Sequence, residues 1–197
     1  MKIYTKTGDQ VTIGTSSLYN GERRQKDDEI FEALGTTDEL TSNIGMAIEF
    51  LEDDAHWGPY LVDRLTTIQC LLQDIGSNIA TPRQQSSESR LNRTAFDMVH
   101  VNKLEEWIDE MDTELPRLTQ FILPSGGKAS ASLHIARSVC RRAERHVQPL
   151  SRAQICDDSV LIFLNRLSDF LFTAARWIAH KQGKQEKIYK KPSVPIV

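Results

Sequence analysis

Five stretches of the sequence repeat apolar residues at mixed steps of three and four, and this pattern constrains the fold more than any other feature. Such steps place apolar side chains on one face of an α-helix. A spacing near 3.5 residues suits helices packed nearly parallel or antiparallel. The pattern predicts an all-α fold, a five-helix bundle with no real sheet. The apolar positions run over residues 30–51, 61–79, 101–115, 129–147 and 161–178.

Prolines and small polar residues predict where these helices end. Thr81-Pro82 should end the second helix, Leu115-Pro116 the third and Pro149 the fourth, because proline disfavours helix at and before its own position. Ser125, which precedes two glycines, is the predicted cap at the start of the fourth helix.

The domain organisation follows from the absence of a long linker or an internal repeat. Residues 1–197 are predicted to form a single domain, with an irregular N-terminal segment at 1–28, extended at most over residues 2–5, and a helical bundle at 29–183. Residues 82–94 are polar and rich in Ser, Gln and Arg, which predicts a mobile loop.

Charge and cysteine usage narrow the function classes. A net charge of −3 gives no global attraction to nucleic acid or to membranes, so any polyanion site must be a local basic cluster. The three cysteines have no Cys-x-x-Cys spacing, which argues against a disulfide framework or a zinc site. The histidines form no metal-binding motif. No apolar run approaches the ~20 residues of a membrane span.

A cluster of arginines lies in the fourth predicted helix. Arg137, Arg141, Glu144 and Arg145 fall at i, i+4, i+7 and i+8 and therefore share a face, with Arg142 beside them. A run of charges is usually a solvated face. However, all four basic residues are arginine, and guanidinium groups suit bidentate contacts to phosphate or carboxylate. Both interpretations remain open from the residues alone.

Other polar residues lie close to the apolar faces. Asp38-Glu39 in the first helix offers carboxylates that can pair with an arginine of the fourth helix, within a subunit or across an interface. The fifth helix carries a polar cluster of Asn165, Ser168, Asp169 and Arg176. Asn165 and Asp169 adjoin the apolar face and need hydrogen-bond partners.

Two further segments allow a structural or a ligand-binding interpretation. Residues 5–26 are rich in Gly, Thr, Ser and Lys, as in a phosphate-binding loop or simply a surface terminus. Phe121, in an apolar stretch before the fourth helix, either packs in the core or forms a wall for a large planar ligand.

Taken together, several long segments resemble the PduO-type cob(I)alamin adenosyltransferases. Their sequences are most similar to the animal mitochondrial form. They occur in matching order from residue 2 to about residue 189. The segments are KIYTKTGD, GERRQKDDEIFEALGTTDEL, LLQDIGSNIATP, FILPSGGKASASLHIARSVCRRAERHV, FLNRLSDFLFTAARW and QEKIYKK.

The resemblance implies a homotrimer with its active site between neighbouring subunits. Asp38 and Arg137 would form a salt bridge across that interface, Arg141 would act on the triphosphate, and Phe121 would press on the lower face of the corrin. Glu144 would hold Mg²⁺ together with the ATP phosphates. The residues placed around ATP are Thr5, Lys6, Thr7, Gly8, Ser16, Ser17, Lys26, Arg141, Arg142, Ala143, Glu144, Arg145 and Asn165.

The implied reaction transfers the 5′-deoxyadenosyl group of ATP to the cobalt of cob(I)alamin and releases triphosphate. It implies ATP and cobalamin as substrates, an external flavin-type reductant and delivery of the product to a mutase such as methylmalonyl-CoA mutase. The expected compartment is the mitochondrial matrix, with the cytoplasm as the alternative. Two other functions stay open: a corrinoid escort without turnover, and a magnesium-dependent nucleotide hydrolase.

Overall fold

The predicted bundle of five long helices is confirmed. The structure is a computed structural model that describes residues 14–192. Its long helices are α1 (Glu29–Glu52), α2 (Gly58–Ile79), α4 (Val99–Asp112), α5 (Lys128–Arg152) and α6 (Asp158–Lys181). α5 lies between α1 and α6, while α2 packs on the outer side of α1 and α4 on α6.

Short elements complete this part of the chain. Two antiparallel pairs each join two strands, β1 (Thr15–Ser17) with β2 (Arg23–Gln25), and β3 (Ile122–Leu123) with β4 (Lys187–Ile188). A sixth helix, α3 (Glu88–Thr94), follows a 3₁₀ turn at Arg83–Gln85.

The prediction of a loop over residues 82–94 was therefore wrong. Long-range hydrogen bonds fix this segment: Asn78 Nδ2 donates to the carbonyl oxygen of Thr94 at 2.7 Å and to Asp157 Oδ2 at 2.8 Å. Arg83 forms an ion pair with Asp157 at 2.6 Å. These partners lie far apart in the chain, so local composition does not reveal them.

The core is formed by the apolar faces that the sequence predicts. Ile44 of α1, Leu133 of α5 and Leu167 of α6 are fully buried. Each such side chain contributes about 1.5–3 kcal/mol relative to an exposed one. Cys140 packs in the same core, where burial raises the pKa of its thiol and its Sγ donates to the carbonyl oxygen of Leu164 at 3.2 Å. It therefore behaves as a small apolar residue.

Two predicted helix boundaries were wrong, and a third is shifted. α5 continues past Pro149 to Arg152. The proline is exposed and lies in the last turn, so the helix loses one backbone hydrogen bond there and ends soon after it, with the Ala153 amide donating to the Pro149 carbonyl. The third predicted helix ends at Asp112, three residues before Leu115. The cap of α5 is Gly127, with φ 101°, rather than Ser125.

The turn before α5 requires glycine. Gly126 has φ 92°, a backbone conformation that disfavours other residues, and a Cβ atom there would lie 2.6 Å from the Ala179 methyl group. Ser125 takes part in the β3–β4 pairing: its hydroxyl donates to the Leu123 carbonyl at 2.7 Å and accepts from the Lys187 amide at 2.8 Å.

Candidate functional site

The predicted arginine face lies on the outer side of α5, away from the buried face that contacts α1 and α6. Arg141 and Arg145 are exposed, and Arg145 Nη1 donates to the Arg141 carbonyl oxygen at 3.1 Å. Ala143 is fully buried, so its methyl group contacts the core and not this surface. Arg141 thus presents its side chain to solvent on the surface of the helix.

One arginine of this face pairs with α1 within the chain. Arg142 forms an ion pair with Glu39, which confirms that a carboxylate of the Asp38-Glu39 pair contacts an α5 arginine. Both side chains are nearly half exposed, so the pair contributes roughly 0–1 kcal/mol. Its main effect is to orient Arg142 towards α1.

Arg137 is more buried than Arg141 and Arg145. Its Nε atom is buried and has no hydrogen-bond partner among the described residues. Its guanidinium carbon lies 6.0 Å from the centre of the Phe172 ring. Burial, and secondarily the nearby charge of Arg141, lower the pKa of Arg137. Within residues 14–192 no ion pair joins it to Asp38, which is exposed and lines a cleft of about 300 Å³ between α1 and α2.

Glu144 and Asn165 connect α5 to α6 beside the arginines. Asn165 Nδ2 donates to Glu144 Oε1 at 2.9 Å. The contact leaves the second carboxylate oxygen and the amide oxygen of Asn165 as oxygen donors, the ligand type that Mg²⁺ prefers. A single carboxylate suits a magnesium ion that is held mainly by water and phosphate oxygens. Glu144 therefore offers one oxygen ligand to such an ion.

Phe121 lies between α4 and α5, directly before β3, and 84% of its surface is exposed. The alternative that it packs in the core of the chain was wrong. Leu118, Leu123, Ile188 and Tyr189, all in the same region, are also at least 43% exposed. Such an exposed apolar cluster is typical of a surface that binds a ligand or a partner.

The part of the N-terminal segment that the structure describes forms a hairpin. Ser16 and Ser17 lie in β1, opposite Arg24 and Arg23, and Arg23 donates to the Ser17 hydroxyl at 3.0 Å. The backbone amide of Lys26 donates to the Gly14 carbonyl at 2.9 Å and so closes the hairpin. The predicted ATP contacts at Thr5, Lys6, Thr7 and Gly8 lie outside the described residues.

Residues 14–192 lack two features that would indicate other kinds of site. No group of three or more His, Cys, Asp or Glu residues there is arranged to hold a metal ion. No helix in this range is both long and apolar enough to cross a membrane.

Comparisons with known proteins decide the family. The cobalamin adenosyltransferase family model matches residues 3–178. The chain belongs to the cobalamin adenosyltransferase family. It is 55% identical to the corrinoid adenosyltransferase MMAB of Mus musculus over 98% of this chain and 79% of the relative. It is 38% identical to the corrinoid adenosyltransferase of Bacillus subtilis over 98% of this chain and 95% of that one.

A solved structure of the same family shares the fold. It is a variant of a PduO-type ATP:corrinoid adenosyltransferase from Lactobacillus reuteri complexed with cobalamin and ATP. The TM-score is 0.85 at 34% identity, and the match covers 96% of this chain and 100% of that one. The predictions of the family, of the helical fold and of a transferase are confirmed.

Two arginines of the N-terminal hairpin were not among the predicted site residues. Arg23 and Arg24 lie in the hairpin, where Arg24 pairs with Glu22 at 2.9 Å and with Asp28 at 3.4 Å. The segment GERRQKDD, which contains both of them, was the available signal. The partners of Arg176 were also not predicted, because neither of them lies in the same helix.

Proposed function

We propose that this chain transfers the 5′-deoxyadenosyl group of ATP to the cobalt of cob(I)alamin. A cobalt–carbon bond forms at C5′, the bond from C5′ to the triphosphate oxygen breaks, and triphosphate leaves with that electron pair. The observation that carries the proposal is the α5 surface, where exposed Arg141 and Arg145 adjoin the Glu144–Asn165 pair. No protein nucleophile is required, since the corrinoid supplies it.

The arginines are assigned to the triphosphate. Negative charge increases on the leaving oxygens as the C5′ bond breaks, and preorganised cations stabilise that charge without reorganising. Arg141 and Arg145 are exposed and one turn apart, so both guanidinium groups can reach one phosphate chain. Arg142 joins them after exchanging Glu39 for phosphate, an exchange with little energetic cost for an exposed pair.

The N-terminal hairpin is assigned to the other side of ATP. Ser16, Ser17 and Lys26 stand beside the arginines of β2, and hydroxyl and ammonium donors suit phosphate oxygens. Residues 5–8 continue this contact in our proposal. The protein then fixes the angle between the corrinoid and C5′, and orientation of this kind contributes several kcal/mol, up to ~7–11.

Magnesium is assigned to Glu144 and Asn165 together with the triphosphate. The ion would supply positive charge to the leaving group. The role of the protein is to hold the carboxylate in place, which the hydrogen bond from Asn165 at 2.9 Å achieves.

Phe121 is assigned to the lower face of the corrin. Its exposed ring can contact a flat ligand, exclude water from beneath the metal and displace a lower axial donor. Removing an axial donor shifts the reduction potential of a metal macrocycle, which favours formation of the lowest oxidation state. An external flavin-type reductant is proposed to supply the electrons.

We infer that the active unit is a homotrimer in which each site lies between two subunits. The support is Arg137, whose buried Nε atom has no partner within residues 14–192, while Asp38 is exposed in a cleft of the same chain. An ion pair between Arg137 of one subunit and Asp38 of the next would give each of these charged groups a partner.

The cellular setting is proposed from the resemblance to animal relatives. We assign the chain to the mitochondrial matrix and expect it to deliver adenosylcobalamin to methylmalonyl-CoA mutase. The chain as a whole is assigned to one domain.

The test is anaerobic incubation of pre-reduced cobalamin with the protein and MgATP, followed by absorbance. The expected result is the spectrum of an alkylcobalamin, which requires both ATP and protein. A corrinoid escort would shift the spectrum on binding without any dependence on ATP. A nucleotide hydrolase would release phosphate without cobalamin. Either of these outcomes, if no ATP-dependent alkylcobalamin spectrum accompanies it, would refute the proposed transfer.

A further inference from the structure

The segment that carries Phe121 is held in place by the chain that follows α6. In the β3–β4 pair Ile122 lies opposite Ile188. The Tyr189 amide donates to the Phe121 carbonyl at 2.8 Å. The backbone is therefore fixed at the Phe121 carbonyl and at the residues that follow it, while the Phe121 ring remains 84% exposed.

One arginine of α6 contacts both the segment that leads to Phe121 and the chain that leads to β4. The Arg176 side chain is only 7% exposed. Its Nη2 atom donates to the Pro116 carbonyl at 2.9 Å, at the start of the segment that leads to Phe121. Its Nε atom lies 3.5 Å from Glu186 Oε2, directly before β4. One guanidinium group thus links α6 to the Phe121 segment and to the strand that pairs with it.

The charges of this link depend on each other. The Glu186 side chain is 21% exposed, so water screens the pair weakly. Arg176 Nε and Glu186 Oε1 are buried and have no hydrogen-bond partner among the described residues. Removing one charge leaves the other without a counter-ion in a poorly solvated place, which favours local opening of the segment. Lysine cannot replace Arg176, since a single ammonium group lacks the planar fork that reaches two acceptors.

We propose that Arg176 and Glu186 are positioning residues for Phe121. They hold the 116–123 segment against β4, so that the aromatic ring of Phe121 stays exposed in a fixed position. The expected effect on adenosyl transfer rests on the proposed function of Phe121. The claim that the two residues hold the 116–123 segment in place does not depend on that function.

The experiment compares Glu186→Gln and Arg176→Lys with Glu105→Gln. Glu105 pairs with Arg166 of α6 at 2.8 Å and is exposed, so it controls for loss of an α6 ion pair away from Phe121. Amide hydrogen exchange is measured by mass spectrometry on peptides covering residues 113–127 and 183–192. In both test variants exchange in these peptides should be at least about tenfold faster, with α1 and α5 unchanged and the control like wild type.

Adenosyl transfer is then measured with pre-reduced and with non-reduced cobalamin. The test variants should lose at least about tenfold more rate with non-reduced cobalamin than with pre-reduced cobalamin, a free-energy difference of about 1.4 kcal/mol. Affinity for ATP should stay as in wild type.

Three results would overturn the positioning role. These are unchanged exchange near Phe121, faster exchange throughout the protein with a lower melting temperature, or weaker ATP binding in the test variants. Local exchange that increases while both corrinoids lose the same fraction of rate would confirm that the pair holds the segment. It would refute the lower-face role of Phe121 instead.

Discussion

The Phe121→Ala variant separates a ligand-binding role from a packing role. A buried phenylalanine replaced by alanine costs ~3–5 kcal/mol. Since 84% of Phe121 is exposed, only about one sixth of that contact is lost, and we expect a cost below about 1 kcal/mol. Phe163→Ala is the matched control, because Phe163 is fully buried in α6 and its loss should cost the full ~3–5 kcal/mol.

Urea unfolding at fixed protein concentration gives these stabilities, and transfer assays give the function. Phe121→Ala should bind ATP normally and fail chiefly when cobalamin is supplied without prior reduction. Its rate should recover in part with pre-reduced cobalamin, or with a corrinoid that lacks the lower nucleotide base. The reason is that displacement of the lower ligand is then no longer needed.

The reasoning is refuted by either of two results. One is a loss of stability in Phe121→Ala close to that of Phe163→Ala, which would mean that the ring is buried in the assembled protein. The other is an equal fractional loss of rate with every corrinoid, which would remove the axial-ligand role.

Three further predictions concern the arginine face and its surroundings. Arg141→Ala should weaken ATP binding and slow transfer at least about tenfold without loss of fold, whereas exposed Arg152→Ala should not; equal kinetics would make Arg141 a solvated residue. Exchanging the charges of Asp38 and Arg137 should restore part of the trimer or activity that each single variant loses; additive losses in the double-mutant cycle would show that they do not interact. Burial, and secondarily Arg137, lower the pKa of His134 to about 4; the unfolded chain therefore gains a proton first as pH falls below about 6.5, and stability should drop by about 2 kcal/mol between pH 7.5 and pH 5. A pH profile in His134→Leu as steep as in wild type would contradict this.

The apolar periodicity predicted all five long helices because one physical term, burial of a helix face, determines them. Residues such as Ile44 and Leu167 are buried whichever neighbour they contact. The ends of the helices were harder to predict. Ser125 looks locally like a helix cap, yet it is used by Lys187, 62 residues away. Pro149 lies in the final turn of α5, where it removes only one hydrogen bond of a long helix, and the sequence does not reveal that the helix continues past it.

The site could be predicted in part for similar reasons. Helical spacing places Arg137 and Arg141 on one face without any knowledge of the fold. It cannot decide which of Asp38 and Glu39 contacts α5, because adjacent residues point about 100° apart and the orientation of α1 selects between them. In the structure Glu39 is the residue that pairs with Arg142.

The most direct test of the proposed reaction is the ratio of its products. Cob(I)alamin and MgATP are incubated anaerobically with the protein, and adenosylcobalamin, triphosphate, diphosphate and orthophosphate are measured in the same samples. Transfer with the arginines on the leaving group predicts one intact triphosphate for each cobalt–carbon bond throughout the time course. Orthophosphate or diphosphate formed in step with the alkylcobalamin, or nucleotide turnover without any cobalt–carbon bond, would contradict the proposed reaction.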